Sequence, residues 1–109
     1  MPIARFIMTE QNTSEAQEQL LNDHREEVRN GFLVSADFSV AIKLDDTSYM
    51  ILTVYETYEF ADTNKYARVK WIEERASLIR DDFYYEGDVV TLIKGGGGPL
   101  VSKYPEKLI

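Results

Sequence analysis

No cysteine occurs in this 109-residue chain, and histidine occurs once. Without cysteine there are no disulfides, no thiolate metal sites and no cysteine nucleophile. A single histidine cannot found a metal site, which needs several ligands, so no metal is expected. Cations are the minority, with 12 Lys and Arg against 19 Asp and Glu and a formal net charge of -7. They are scattered and mostly sit beside acids, as in "EERASLIRDD", whereas phosphate contacts need clustered Lys and Arg. Nucleic acid is therefore not an expected partner. No apolar run approaches the ~20 residues of a membrane span. The first residues also lack the basic start and apolar stretch of a signal peptide. The expectation is a soluble cytoplasmic protein with no membrane partner.

Glycine is scarce outside one run, Gly95 to Gly98. That run resembles a phosphate cradle but lacks the context of one. Lys94 precedes the glycines and Pro99 follows them, the reverse of the Walker order. Pro99 and Pro105 also prevent the good helix that a dinucleotide loop would feed. The reading is a flexible hinge leading to a tail, "LVSKY", that can add to a sheet edge. The chain thus divides into a domain over residues 1–94 and a hinge and tail over residues 95–109.

Apolar residues make up 44% of the sequence, enough for one domain with a core. "IARFIM", Ile3 to Met8, reads as a strand with two apolar sides. The stretch from Thr9 to Gly31 reads as a helix. Asn12, Thr13 and Ser14 offer N-caps, Ser14 with Gln17 matches a capping box, and Gly31 is the stop. Ala16, Leu20, Leu21, His24 and Val28 form its apolar stripe. Phe32 to Leu44 alternates as a second strand, "DDTS" is a turn, and "YMILTVYE" is a third strand that closes a hairpin. Val69, Ile72, Ala76, Ile79 and Phe83 step at helical spacing within a region from Phe60 to Asp82. "YYEGD" then reads as a turn and "VVTLIK", from Val89, as the fourth strand.

The order β-α-β-β-α-β is the ferredoxin-like unit, an α+β fold with an antiparallel sheet. Helices cover one sheet face. The other face also offers apolar residues, taken from Ile3 or Phe6, Ile51 or Leu52, and Val90 or Leu92. A second copy packed sheet against sheet is the economical cover, so an isologous homodimer is expected.

This order, with "ARF" in the first strand, "GFL" opening the second and "YMILTVYET" running into a helix, resembles the antibiotic biosynthesis monooxygenase-like family of the dimeric α+β barrel superfamily. The resemblance spans about Ile3 to Lys94. It departs from the family pattern in two places. Thr53, Val54 and Tyr55 stand where an acid, an apolar residue and Trp are usual. Asn64 and Lys65 stand where several members have a helix-two histidine, the iron ligand of the haem-degrading relatives. The quinol-oxidising relatives work without metal or flavin, and by that likeness Asn64, Tyr66 and Trp71 would orient a small aromatic or quinol compound. Tyr55 or Arg5 would steady its oxyanion, with no cofactor. The resemblance implies two alternatives: a non-catalytic ligand-binding or stress-response protein, and a muconolactone-type isomerase with His24 as its acid-base group.

The residues themselves leave several roles open. His24 lies on the stripe of the first helix, where imidazole serves either packing or proton transfer. Arg5 sits among apolar neighbours and requires a carboxylate or an anion. Asp37 and Glu56 are its candidate partners, and an acidic or enol-bearing ligand is the alternative. Tyr49, Tyr55, Tyr58, Phe60, Tyr66, Trp71, Tyr84 and Tyr85 suit either the lining of a pocket for a planar ligand or plain packing.

Overall fold

The computed structural model describes residues 2–92. Four strands and three helices follow in the order β1 (Ile3–Gln11), α1 (Ser14–Arg29), β2 (Phe38–Asp45), β3 (Ser48–Tyr55), α2 (Tyr58–Asp62), α3 (Lys65–Glu74) and β4 (Ile79–Asp88), with one 3-10 turn at Ala76–Leu78. The strands form one antiparallel sheet in the order β2-β3-β1-β4. This is the ferredoxin-like β-α-β-β-α-β arrangement.

Several boundaries differ from the sequence expectation. β1 extends to Gln11, where Thr9 and Gln11 are drawn into a buried polar chain rather than a helix. Gln11 Nε2 donates to Thr9 Oγ1 at 2.6 Å. Gln17 Nε2 donates to Gln11 Oε1 at 3.1 Å and to the Asp45 carbonyl at 2.9 Å. Gln17 is thereby used in the core, and no capping box forms with Ser14. Thr13 caps α1 instead, its Oγ1 accepting from the Ala16 amide.

The end of α1 is a Schellman stop. The Gly31 amide donates to the Val28 carbonyl at 3.1 Å and the Phe32 amide to the Glu27 carbonyl at 2.9 Å, with Gly31 at φ +102°. This pairing satisfies two carbonyls that the helix would otherwise leave free. A Cβ at Gly31 would meet nothing within 4 Å, so the cost of Gly31→Ala is conformational. Urea denaturation should show a loss of about 1 kcal/mol, and Gly31→Asn should lose less.

Past Gly31 the chain does not enter a strand at Phe32 as expected. Residues 32–36 turn, with amide bonds from Val34 to Gly31 and from Ala36 to Leu33. Leu33 is held at φ +68°, a conformation a bulky residue rarely adopts. Its side chain is buried with Ile3, Tyr55 and Ala61, which offsets the local strain. β2 begins only at Phe38.

The largest correction concerns the second half. The helix stops at Glu74, and the fourth strand is Ile79–Asp88, not the segment from Val89. "YYEGD" lies in the strand, and pairing with β1 over its whole length overrides the helical spacing of Ile79 and Phe83. Val89 keeps a single backbone bond to the Pro2 carbonyl, 2.8 Å. The glycine hinge and the tail expected over residues 95–109 lie outside the described residues.

The register assigns the two sheet faces. Ile3, Arg5, Ile7 and Thr9 pair with Tyr55, Thr53, Ile51 and Tyr49 on the helix side. Ala4, Phe6 and Met8 pair with Val54, Leu52 and Met50 on the other side, flanked by Tyr85 and Phe83 of β4 and by Phe38, Val40 and Ile42 of β2. Ile3 and Ile51 thus belong to the helix side, and Phe83 with Tyr85 takes the place expected of Val90 or Leu92. On this open face Val40, Ile42, Phe83 and Tyr85 are exposed, and Phe6 and Tyr85 are ring neighbours at 6.5 Å.

Candidate functional site

Between the helix side of the sheet and the helices lies a cavity. It offers about 50 Å³ to the centres of water-sized spheres and about 590 Å³ of unfilled space with its mouth included. The first figure exceeds the ~10–15 Å³ that one water needs. Arg5, Thr53 and Tyr55 come from the sheet, His24 from α1, Leu33 from the turn, and Asn64, Arg68 and Trp71 from the start and body of α3.

Helical geometry explains the α3 wall. Asn64, Arg68 and Trp71 stand at i, i+4 and i+7, one face of a helix. Tyr66, two residues past Asn64, points the opposite way. It is 79% exposed and lies outside the cavity, so the role expected of it as an orienting residue has no geometry behind it. Tyr58, Phe60 and Tyr85 are likewise exposed, whereas Tyr49, Tyr55 and Trp71 are buried and line the cavity.

Asn64 occupies the N-cap position of α3 but makes no side-chain cap bond. Its amide turns inward and donates to the Tyr55 hydroxyl at 3.2 Å and to Ser35 Oγ at 3.1 Å. Ser35 in turn contacts Thr63 Oγ1 at 2.9 Å and donates to the Phe60 carbonyl at 3.0 Å. The amide is fixed by two elements, and only 8% of Asn64 is exposed. Burial holds the Tyr55 hydroxyl above the usual tyrosine range, with Asn64, Arg5 and Arg68 acting partly against it. Tyr55 therefore stays protonated near neutral pH and remains a donor.

His24 packs edge-on to Phe32 and Trp71, with ring centroids at 6.3 and 6.5 Å. Burial pushes its pKa below the ordinary histidine value, and neighbouring Arg25 pushes the same way. Both effects favour the neutral form of the ring. Trp71, 92% buried by its 8% exposure, carries the Arg75 guanidinium over its ring at 4.4 Å. Arg75 also bonds Asp23 of α1 at 3.0 Å, which ties the two helices together behind the tryptophan.

Arg5 is 6% exposed, but its partners are not those expected. Asp37 and Glu56 are not used. Instead Nη2 pairs with Asp62 at 2.8 Å, Nε with Glu86 at 3.0 Å, and Nη1 donates to the Ala61 carbonyl at 2.7 Å. The side chain braces α2 against β4, and its charge is already balanced. Glu86 is held below the usual glutamate range by the Tyr84 hydroxyl that donates to it. Burial opposes this and the Arg5 pairing adds to it. A lowered folded-state pKa means that this stabilisation is complete above the ordinary glutamate pKa and is lost as pH falls through the folded value. Arg5→Met should cost about 1–3 kcal/mol near neutrality, limited by the exposure of both carboxylates. In an acid titration of stability the gap between variant and parent should close as Glu86 protonates. A gap constant down to low pH would contradict the pairing.

Among the described residues, three buried side-chain nitrogens have no hydrogen-bond partner: His24 Nε2, Arg68 Nε and Trp71 Nε1. All three belong to residues lining this one cavity. Buried polar atoms without partners are costly in a finished core, and these three belong to one cavity wall. Also among the described residues, no group of three or more His, Asp or Glu side chains is placed to hold a metal. No helix there is long and apolar enough to cross a membrane.

No family model matches the sequence, and no curated protein matches it. Solved structures do match. A dimeric ferredoxin-like protein from an uncultured marine organism superposes with a TM-score of 0.68, over 84% of this chain and 90% of its own, at 10% identity. A protein described as a "putative antibiotic biosynthesis monooxygenase", from Nitrosomonas europaea, gives 0.68 over 82% and 90%, at 12% identity. This chain has the antibiotic biosynthesis monooxygenase-like fold. An asparagine-to-alanine variant of SnoaB, a cofactor-independent oxygenase from Streptomyces nogalater, shares it with a TM-score of 0.65 over 84% and 96%, at 8% identity.

Within this fold, five of the six residues given a catalytic or substrate-binding role from the sequence line the cavity: Arg5, His24, Tyr55, Asn64 and Trp71. Tyr66 does not. Sequence reasoning missed Arg68. In "KYARVKWIEERA" it reads as one more charge on a solvated helix. The signal that could have found it was its spacing, four residues after Asn64 and three before Trp71.

Proposed function

We propose that two copies of this chain pair through their open sheet faces. We further propose that the helix-side cavity of each binds a small phenolic or quinol compound and promotes its oxidation by molecular oxygen without a cofactor. The observation that carries the reading is the set of three partnerless buried nitrogens on residues lining one largely apolar cavity, beside the fixed Tyr55–Asn64 pair. The fold shared with an oxygenase described as cofactor-independent supports it.

In this reading His24 Nε2 takes the proton that the ligand releases as it forms its enolate. The indole N–H of Trp71 and the hydroxyl of Tyr55 donate to the resulting oxygen anion, in a setting where such bonds act more strongly than in water. Negative charge delocalises onto a ring carbon, which reacts with oxygen to form a carbon–oxygen bond. The peroxide regains the proton. A hydroperoxide on a carbon that still bears hydrogen then loses water and leaves a carbonyl, so one oxygen atom enters the product and the other leaves as water.

The same geometry supports the homodimer. Among the described residues helices cover one sheet face, and the other presents Val40, Ile42, Phe83 and Tyr85 to water, a kind of apolar patch that marks interaction surfaces. The experiment is oxygen uptake with a panel of quinols, using labelled oxygen gas to follow its incorporation. Uptake above the uncatalysed rate, with one labelled atom in the product, is the expected result. Uptake equal to the blank, with the ligand recovered unchanged, would instead assign the cavity to binding alone.

A further inference from the structure

We infer that the cavity selects its ligand as an anion, a planar ring bearing an ionised oxygen, and that Arg68 is the residue that sets this preference. The inference deepens the proposed function and rests on its reading of the cavity as a ligand site.

The chain as a whole is acidic, with 19 carboxylate side chains against 12 Lys and Arg. Yet the residues lining the cavity include two guanidiniums and a histidine and no carboxylate. The two arginines differ in kind. Arg5 spends its donors on Asp62, Glu86 and the Ala61 carbonyl. Arg68 has no carboxylate within ion-pair distance among the described residues. Its Nε is buried without a hydrogen-bond partner. Its guanidinium lies over the Tyr84 ring at 4.2 Å, which holds the plane in place but balances only part of the charge.

Arg68 is half-buried, with its Nε shielded and no carboxylate beside it among the described residues, and a planar oxyanion offers it a charge-assisted bond to a fork already held in position. The two other partnerless nitrogens fit the same ligand. Trp71 Nε1 can only donate, and neutral His24 can either donate to the anion or accept the proton of its parent acid. An uncharged ligand of the same shape would leave the Arg68 charge unmatched. The apolar remainder of the wall, Ile7, Leu33, Ile51 and Ile72, suits a flat ring rather than a hydrated ion such as phosphate.

The test uses 4-nitrophenol, whose anion is yellow, with the full-length protein. Bound 4-nitrophenol should show the anion band at a pH where the free compound is largely protonated. 4-Nitroanisole, its uncharged counterpart, should bind at least about tenfold more weakly. Arg68→Gln should lose roughly ten- to hundredfold in affinity for the anion while leaving 4-nitroanisole unchanged. Arg68→Lys, which keeps the charge without the fork, should recover part of the loss. Competition by benzoate would extend the class to ring carboxylates, and its failure to compete would confine the class to phenolates and enolates. Equal binding of 4-nitroanisole and the phenolate, or an anion preference that survives in Arg68→Gln, would overturn the inference. Anion binding without oxygen uptake would remove the oxidative reading alone. Oxygen uptake without anion preference would remove this one alone.

Discussion

If two copies pair through their open sheet faces as proposed, a single Val40→Glu substitution will turn the dimer into a monomer. Val40 lies on the open face of the sheet, paired with Leu52 of β3 and next but one to Ile42 on the same strand. Within one chain it is 39% exposed, so a carboxylate there reaches water and leaves the fold of the subunit intact. Against a partner's sheet the same carboxylate is buried with no cation opposite it. Breaking such a surface with an unpaired charge costs about 3–5 kcal/mol, and an isologous interface counts the change on both subunits. Sedimentation equilibrium should show the dissociation constant rising by at least about a thousandfold, with the far-ultraviolet spectrum unchanged. A variant that sediments as its parent does would remove the sheet face as the interface.

The second large effect is expected at Trp71. Trp71→Phe keeps a ring between His24 and Arg75 but deletes the unpartnered indole N–H of a residue that lines the cavity. If that N–H meets charge developing on the ligand oxygen, oxygen uptake should fall by about 10²–10³. The loss should appear in kcat rather than in KM, since the interaction strengthens in the transition state. Stability should change little. Trp71→Ala removes the packing as well and should cost about 3–5 kcal/mol, which makes it the poorer probe of chemistry. A Trp71→Phe variant with full activity would place the tryptophan in the wall for packing only.

The topology was legible because each segment up to Tyr55 carries its own periodicity. "YMILTVYE" alternates and is rich in β-branched and aromatic residues, and it forms β3 almost as read. The second half was misread because "LIRDDFYYEGD" satisfies two patterns at once. Ile79 and Phe83 continue the helical steps of Val69 and Ile72. The same segment also alternates, with Phe83 and Tyr85 on one side and Tyr84 and Glu86 on the other. Local spacing cannot choose between these readings. The choice is made by β1, whose free edge pairs with the whole segment, a long-range term of the kind that overrides local propensity.

The site was partly legible for a related reason. Arg5 stood out as a charge in an apolar strand, and the structure confirms that it is buried and paired. Its partners were not readable, because Asp62 and Glu86 come to it from α2 and β4 only once the chain has folded. Arg68 was hidden by its surroundings, since an arginine in a charged helix reads as solvated until the helix face is assigned. Tyr66 drew notice as an aromatic near Asn64, but two residues along a helix is the wrong side.

The central claim is that partnerless polar atoms in the helix-side cavity exist to meet a ligand, and Trp71 gives it a direct test. The chain has one tryptophan, so the amide correlation spectrum of the nitrogen-labelled protein holds one indole N–H signal. Titration with a small quinol should move that signal progressively and to saturation, as expected of a hydrogen bond formed at Nε1. An indole signal that stays in place while the quinol is raised to high excess would contradict the account.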